Sequence, residues 1–225
     1  MSAAKLRGIW ALVGGLMLSL ASAARADDHA DHAEDTPRLA VKTSSQLAVI
    51  IRNDTSAMLS RMGHDHVIVA QKASGSVVWP AEPGGRCEAR VEVPVRELVV
   101  DPEGWRERMG LDDNTIDEND KGKLSKNMWG SSQLDADNHP KVIFEVTSCP
   151  GGTGSVTVQG ELTVRGVPAK VTVPLQVSHE GGVLRAKGRF STTHAAHGFK
   201  PFRATPMGPR NDDKLEFYVE LVAKE

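Results

Sequence analysis

The stretch Gly160-Glu161-Leu162-Thr163-Val164-Arg165-Gly166-Val167-Pro168-Ala169-Lys170-Val171-Thr172-Val173-Pro174-Leu175 predicts a β-hairpin. Apolar and polar side chains alternate on both sides of a short turn that contains Gly166 and Pro168, as expected for two antiparallel strands. A period of two places the apolar side chains on one face of a sheet. The apolar face covers either a packed core or a cavity for an apolar ligand, and this choice decides the function.

Alternation of the same kind recurs along most of the chain. Together with the two strands of the hairpin, the predicted strands fall within residues 47–52, 66–79, 87–98, 142–146, 184–190 and 215–223. Turns rich in glycine and proline separate several of them, which is typical of all-β domains. Because open sheet edges promote aggregation, about eight such strands predict a closed antiparallel barrel or a two-sheet sandwich.

Residues 101–139 interrupt this pattern, because they are polar and charged and do not alternate. Within them, residues 117–129 predict one short helix, since Leu124 and Met128 lie four residues apart on one helical face. The helix falls between two predicted strands, so we expect it to cross or cap the sheet.

The first 26 residues predict a signal peptide for export. Lys5 and Arg7 precede an apolar run over residues 8–23, and Ala24-Arg25-Ala26 offers the small residues that signal peptidase recognises. An N-terminal anchor is the alternative, but the run is short for a membrane span, which needs ~20 apolar residues. Residues 27–42 are predicted to be a disordered tail that is acidic and contains histidine, and residues 43–225 to be one β-domain.

Composition argues against several functions. The formal net charge of −2 offers no basic surface for a nucleic-acid partner. No later apolar run reaches spanning length, so we expect no stable membrane span after processing. The sequence contains no Gly-x-Ser-x-Gly elbow, and its paired carboxylates lie in polar, turn-rich segments. We therefore expect no enzymatic activity and no required cofactor. A homodimer is possible.

Cys87 and Cys149 are the two cysteines of the chain, and an exported protein allows one disulfide between them. Cys87 opens one predicted strand and Cys149 closes the next, so antiparallel neighbours would bring them to the same end. Side-chain parity argues mildly against the bond, and a bulge near Pro150 would correct it. The alternative is two free thiols.

Four segments resemble the YceI-like family of exported proteins. They are the hairpin quoted above, Asp137-Asn138-His139-Pro140-Lys141-Val142-Ile143-Phe144, His197-Gly198-Phe199-Lys200-Pro201 and Leu215-Glu216-Phe217-Tyr218-Val219-Glu220-Leu221. The resemblance implies a lipocalin-like antiparallel β-barrel in the periplasm that holds an isoprenoid chain, such as a quinone tail. It brings no set of catalytic residues. The chain departs from the common pattern at Gly63-His64-Asp65-His66 and at His194-Ala195-Ala196-His197, which leaves the ligand more open than the fold.

From the pattern and the resemblance together we predict a carrier for an isoprenoid or similar amphiphilic lipid of the quinone or polyprenyl type. An eight-stranded barrel is just wide enough for its own side chains or for one small ligand. A solid core without a ligand, in a structural module, is therefore the alternative. The predicted ligand-binding residues are Leu47, Val49, His64, His66, Val91, Val93, Phe144, Leu162, Val173, Phe190, Phe199 and Phe217.

The histidines at the start of the second strand allow three interpretations. His64 and His66 share one face of an extended segment, where they would hydrogen-bond the head group of the ligand. They would otherwise bind Zn or Cu in a metal-binding or redox-accessory protein, if His194 or His197 supplied a further ligand. In the third interpretation all four are polar loop residues without a ligand.

Overall fold

The computed structural model describes residues 36–85, 87–112 and 116–225. The predicted signal peptide, and the predicted tail as far as residue 35, lie outside these ranges. Within them the chain forms eleven strands and two α-helices. In chain order these are β1 (Arg38–Val41), β2 (Gln46–Asn53), β3 (His66–Ala70), β4 (Ser74–Val78), β5 (Glu88–Pro94), β6 (Leu98–Val100), α1 (Trp105–Met109), α2 (Glu118–Trp129), β7 (Lys141–Ser148), β8 (Gly154–Val164), β9 (Val167–Glu180), β10 (Val183–Thr193) and β11 (Asn211–Lys224).

The strands close into one antiparallel barrel of eight positions, three of which are each divided between two strands. β1 and β2 both pair with β11. On its other edge β1 pairs with β4, which pairs with β5. In the same way β2 pairs with β3, which pairs with β6. The other five positions are β7 to β11, each paired with the next, while β5 also pairs with β7. The expectation of about eight strands in a closed barrel is therefore confirmed, and the sandwich is not formed.

The hairpin that decides the fold is β8 and β9, whose register runs from Gly154↔Val177 to Val164↔Val167. Its turn is only Arg165 and Gly166, which both have positive φ, at 52° and 73°. Two consecutive positive φ angles match the right-handed twist of the strands, as in a type I′ turn. Pro168, which we expected in the turn, instead lies within β9.

Residues 38–41 correct the predicted limit of the disordered tail. They form β1, in which Ala40 lies opposite Ser76 of β4 and Lys224 of β11. Leu39 is 1% exposed in the core of the barrel. A four-residue strand contributes few apolar side chains, so its alternation is too short to be distinguished from a polar tail.

A second apolar cluster lies outside the barrel and was not predicted. Ala48 and Ile50 of β2 and Val67 and Val69 of β3 alternate with the inward-facing side chains of these strands, yet they are buried. They pack with Met109 of α1 and with Leu111, Trp105 and Tyr218. The sequence predicted one helix, because the five residues of α1 give too little periodicity to indicate a second one.

One end of the barrel is closed by apolar side chains and a disulfide. Leu39, Trp79 and Leu184 are buried there, and the Trp79 indole N–H donates to the carbonyl of Gly152 over 2.7 Å. Cys87 and Cys149 are bonded, with their Cα atoms 6.3 Å apart. A register shift between β7 and β8 after Val146 changes the parity of the strand, which resolves the objection to this disulfide.

The opposite end carries the long loops, namely residues 54–65, 101–140 and 194–210. β6 pairs with β3 but, among the described residues, has no partner on its other edge. α2 packs against β6 beside this gap. The predicted helix is thus present, begins with Asp117 accepting a hydrogen bond from the backbone N–H of Asp120, and covers the wall near the open end. No helix among the described residues is long and apolar enough to cross a membrane.

Candidate ligand-binding cavity

The barrel contains a cavity of about 760 Å³. Packed protein interiors leave few voids larger than a water molecule, whereas sites for small molecules measure roughly 300–1,000 Å³. The inner face of the sheet is therefore not a solid core. Apolar side chains from β2, β5 and β7 to β11 form most of the wall, while α2 and the loops at the open end form the mouth.

The structure places every residue of the predicted ligand-binding set on this cavity. These residues are Leu47, Val49, His64, His66, Val91, Val93, Phe144, Leu162, Val173, Phe190, Phe199 and Phe217. Most come from strands, where alternation directs them inward, whereas His64 and Phe199 come from the loops. Strand periodicity could identify the first group, the spacing of His64 and His66 indicated His64, and Phe199 lies in a segment that resembles the family.

The aromatic side chains of the wall pack against one another and against glycine. The rings of Phe190 and Phe217 on neighbouring strands are stacked, with centroids 4.8 Å apart. The Phe144 ring lies over Gly160 of the adjacent strand, where any Cβ atom would overlap it. A glycine under an aromatic ring lets the ring lie flat along the wall, which keeps the interior open.

Helix α2 supplies part of the mouth, and the predicted ligand-binding set contains none of its residues. Leu124, Asn127 and Met128 lie on the cavity, together with Lys123. The spacing of Leu124 and Met128 had indicated an apolar helical face, but not the surface that this face covers. The helix packs over the gap beside β6, so its apolar face completes the wall where the sheet does not.

His66 is held at the mouth by a buried carboxylate. Its Nδ1 lies 2.7 Å from Oδ2 of Asp101, whose side chain is inaccessible to solvent. Oδ1 of Asp101 accepts from the backbone N–H of Val67 (2.8 Å), and the Arg106 guanidinium lies 3.4 Å away. Burial alone would raise the pKa of Asp101, but the hydrogen bonds from His66 and Val67 hold it below its ordinary value.

An ionised Asp101 fixes the tautomer of a neutral His66. Nδ1 carries the proton that Asp101 accepts, so Nε2 keeps its lone pair. His66 lines the cavity near its mouth. Asp101 has a φ of 45°, a strained conformation that places its carboxylate under β3. No local signal in the sequence links two residues that lie 35 positions apart.

The other three histidines that were considered as ligands have different surroundings. His64 is exposed at the mouth. His194 and His197 are buried, with Nδ1 atoms 2.9 Å and 3.1 Å from the carbonyl oxygens of Asp213 and Val167. Burial lowers the pKa of both. Among the described residues no three His, Cys, Asp or Glu side chains are placed to hold a metal ion, so the convergence that the metal interpretation requires is not found.

The two basic side chains that line the cavity, Lys123 and Arg210, are paired with carboxylates. Lys123 Nζ lies 2.7 Å from Asp120, and Arg210 Nε lies 2.5 Å from Asp54. A hydrogen bond from the Ser56 hydroxyl and the ion pair with Arg210 lower the pKa of Asp54 to about 2. Both cations therefore face a carboxylate, and neither is left unpaired for a phosphate inside the cavity.

A closed antiparallel barrel with a large apolar cavity and a polar mouth defines a barrel-type binding protein. The family model of the YceI-like domain matches residues 55–223, and the chain belongs to this family. The fold, the cavity and the family are those of a barrel-type binding protein.

Two solved structures are similar to this chain. BcnA of Burkholderia cenocepacia is 18% identical, with a TM-score of 0.60 over 82% of this chain and 99% of that one. The YceI protein of Campylobacter jejuni is 12% identical, with a TM-score of 0.49 over 70% of this chain and 84% of that one. The comparison with curated proteins finds no match.

Proposed function

We propose that the protein is a periplasmic carrier that holds an isoprenoid or similar amphiphilic lipid in its barrel. The observation that carries this proposal is the apolar cavity of about 760 Å³ with its mouth at one end. Each methylene or methyl group removed from water contributes ~0.8 kcal/mol, so about ten buried carbon atoms contribute ~8 kcal/mol without directional contacts. A branched prenyl chain is suited to a long apolar interior of this kind.

The head group would lie at the mouth and donate a hydrogen bond to Nε2 of His66. The geometry of the His66–Asp101 pair supports this arrangement, because it leaves an oriented acceptor beside an apolar space. The paired state of Lys123 and Arg210 favours a hydroxyl group, as in a quinol or a polyprenol, over a prenyl phosphate. Asp101 acts as a positioning residue, since it does not lie on the cavity.

Export to the periplasm is supported by two observations. The first 26 residues have the pattern of a signal peptide, and Cys87 and Cys149 form a disulfide. Disulfides persist mainly in oxidising compartments, where a carrier between membranes would operate.

Solvent extraction of the purified protein followed by mass spectrometry tests the cargo. The expected result is a prenyl lipid that co-purifies with the protein in a fixed ratio and rebinds after delipidation. Protein that is reproducibly free of lipid, and that does not take up a prenol or quinol when these are added, would contradict the proposal.

A comparison of two ligands tests the head-group contact. A polyprenol should lose about tenfold in affinity with His66→Phe or Asp101→Asn, whereas the hydrocarbon of equal length should not, because only the prenol makes the hydrogen bond. His179→Phe, a substitution of a partly exposed histidine on β9, is the matched control. Equal losses for both ligands would assign His66 a merely structural role.

A further inference from the structure

Large apolar side chains are exposed on one end of this barrel. Among the described residues, those that are most exposed for their size are Met58 (80%), Met207 (68%), Met62 (67%), Leu59 (42%), Val99 (37%) and Val167 (37%). The first four belong to two loops at the mouth, and Val167 follows the turn at the same end. No large apolar side chain of the described residues is exposed to this degree at the disulfide end.

The two loops, residues 54–65 and 198–210, form one continuous surface that we call the rim. The backbone N–H of Asp54 donates to the carbonyl of Arg210 over 2.9 Å, and the two side chains form an ion pair. Gly63 lies so close to Pro209 that an added Cβ would be 3.0 Å from the proline ring. Met62 and Pro209 also lie on the cavity, so the apolar surface of the rim is continuous with the interior.

The charge of the rim is positive wherever it is not internally paired. Its two acidic residues, Asp54 and Asp65, are bonded to Arg210 and Arg52. Arg61, Lys200 and Arg203 are exposed, and residues 55–64 and 198–210 contain no Asp or Glu. Exposed methionine and leucine among basic side chains is the composition that binds the interface of an anionic bilayer.

We propose that the rim docks on an anionic lipid bilayer, with its methionines in the interface and its basic residues on the lipid head groups. This orientation places the mouth of the cavity against the membrane, where a lipid can pass between bilayer and barrel without crossing water. The role in lipid transfer rests on the proposed carrier function, whereas the docking itself does not. The first turn of α2 is acidic and also borders the mouth, so the contact is confined to the rim loops.

Co-sedimentation with vesicles tests the docking, using the chain expressed with its own N-terminus and purified after export. Vesicles of equal parts phosphatidylethanolamine and phosphatidylglycerol should bind the protein, and vesicles of phosphatidylcholine should bind it much less. Met58→Ser combined with Met207→Ser should weaken binding about tenfold, because both side chains leave the interface. Val99→Ser, which changes an exposed apolar residue on the barrel wall, should leave binding unchanged.

A rim variant and a matched control variant test the contribution of the basic side chains to docking. Arg61→Gln combined with Arg203→Gln should weaken binding to the anionic vesicles by about fivefold per residue at low salt, and raised salt should reduce this difference. Lys170→Gln combined with Arg185→Gln removes the same charge from the barrel wall and should have little effect. Equal binding of the rim variants and the parent, or sedimentation that ignores lipid charge, would overturn the proposal.

Binding of a fluorescent prenol in solution, without vesicles, separates the two proposals. The Met58 and Met207 residues do not lie on the cavity, so their variant should keep its affinity for the prenol. A protein that binds vesicles but no prenol would refute the carrier and retain the docking. A protein that binds the prenol but no vesicles would refute the docking and retain the carrier.

Discussion

Filling the cavity from its wall should weaken binding of a long tail strongly without unfolding the protein. Ala186 of β10 is 6% exposed, lies on the cavity and pairs with Val177 and Leu221 on the neighbouring strands. Ala186→Phe would place a ring in space that about five carbon atoms of the lipid would occupy, which costs ~4 kcal/mol of burial. At ~1.4 kcal/mol for each tenfold change, the Kd should rise about a thousandfold.

Titration with a fluorescent prenol gives the affinity, and urea denaturation of the lipid-free protein gives the free energy of unfolding. A ring added to a solid core should cost ~1–3 kcal/mol of stability, whereas a ring added to a cavity should leave the free energy of unfolding equal or higher. Arg185→Phe adds the same ring on the outer face and should leave the Kd unchanged. A folded Ala186→Phe protein with the parent affinity, or a loss of stability typical of overpacking, would refute the reasoning.

Three further outcomes concern stability. Burial lowers the pKa of His194 and His197, so below about pH 6.5 the unfolded chain binds more protons than the folded one. The free energy of unfolding should therefore fall as the pH drops from about 7 to 5, and replacement of both by Gln should flatten this slope in urea titrations. Reduction of the Cys87–Cys149 disulfide, which spans 62 positions, should cost ~4 kcal/mol in the chain-entropy model, as denaturation with and without reductant would show; equal midpoints would contradict it. Gly160→Val should lower the free energy of unfolding by ~1–3 kcal/mol, because its side chain would overlap the aromatic ring above it, while Gly181→Val in an exposed turn reports the cost of backbone strain alone.

The sequence predicts the barrel well where the two faces of a strand differ. β8, β9 and β10 alternate between buried or lining residues and exposed polar ones, so their pattern identifies both the strand and its inner face. β2 and β3 do not show this difference, because Ala48 and Ile50 are buried under α1 on the outer face. Because α1 covers the outer face of these strands, both of their faces are apolar, and the pattern gives no sign of the helix.

The cavity follows from the sequence only in part. The inward residues are predictable by parity, but the same parity describes a solid core, and hollowness depends on how the rings pack across the barrel. The His66–Asp101 contact depends on a turn after β6 with an unusual backbone conformation. Local sequence patterns hold no information about such a long-range contact. The family resemblance indicated the barrel, but not the contact between His66 and Asp101.

At the gap between β6 and β7 the wall of the cavity is formed by a helix and not by the sheet. Elsewhere the wall is a ladder of backbone hydrogen bonds, and an opening there would break several of them together. At the gap the wall is α2, and none of the residues Glu118–Trp129 is fully buried. Displacement of α2 breaks no strand pairing, so in the proposed carrier this helix, more than the sheet, would set the residence time of the cargo. In the proposed carrier, changes that loosen α2 against β6 would therefore make the exchange of cargo faster.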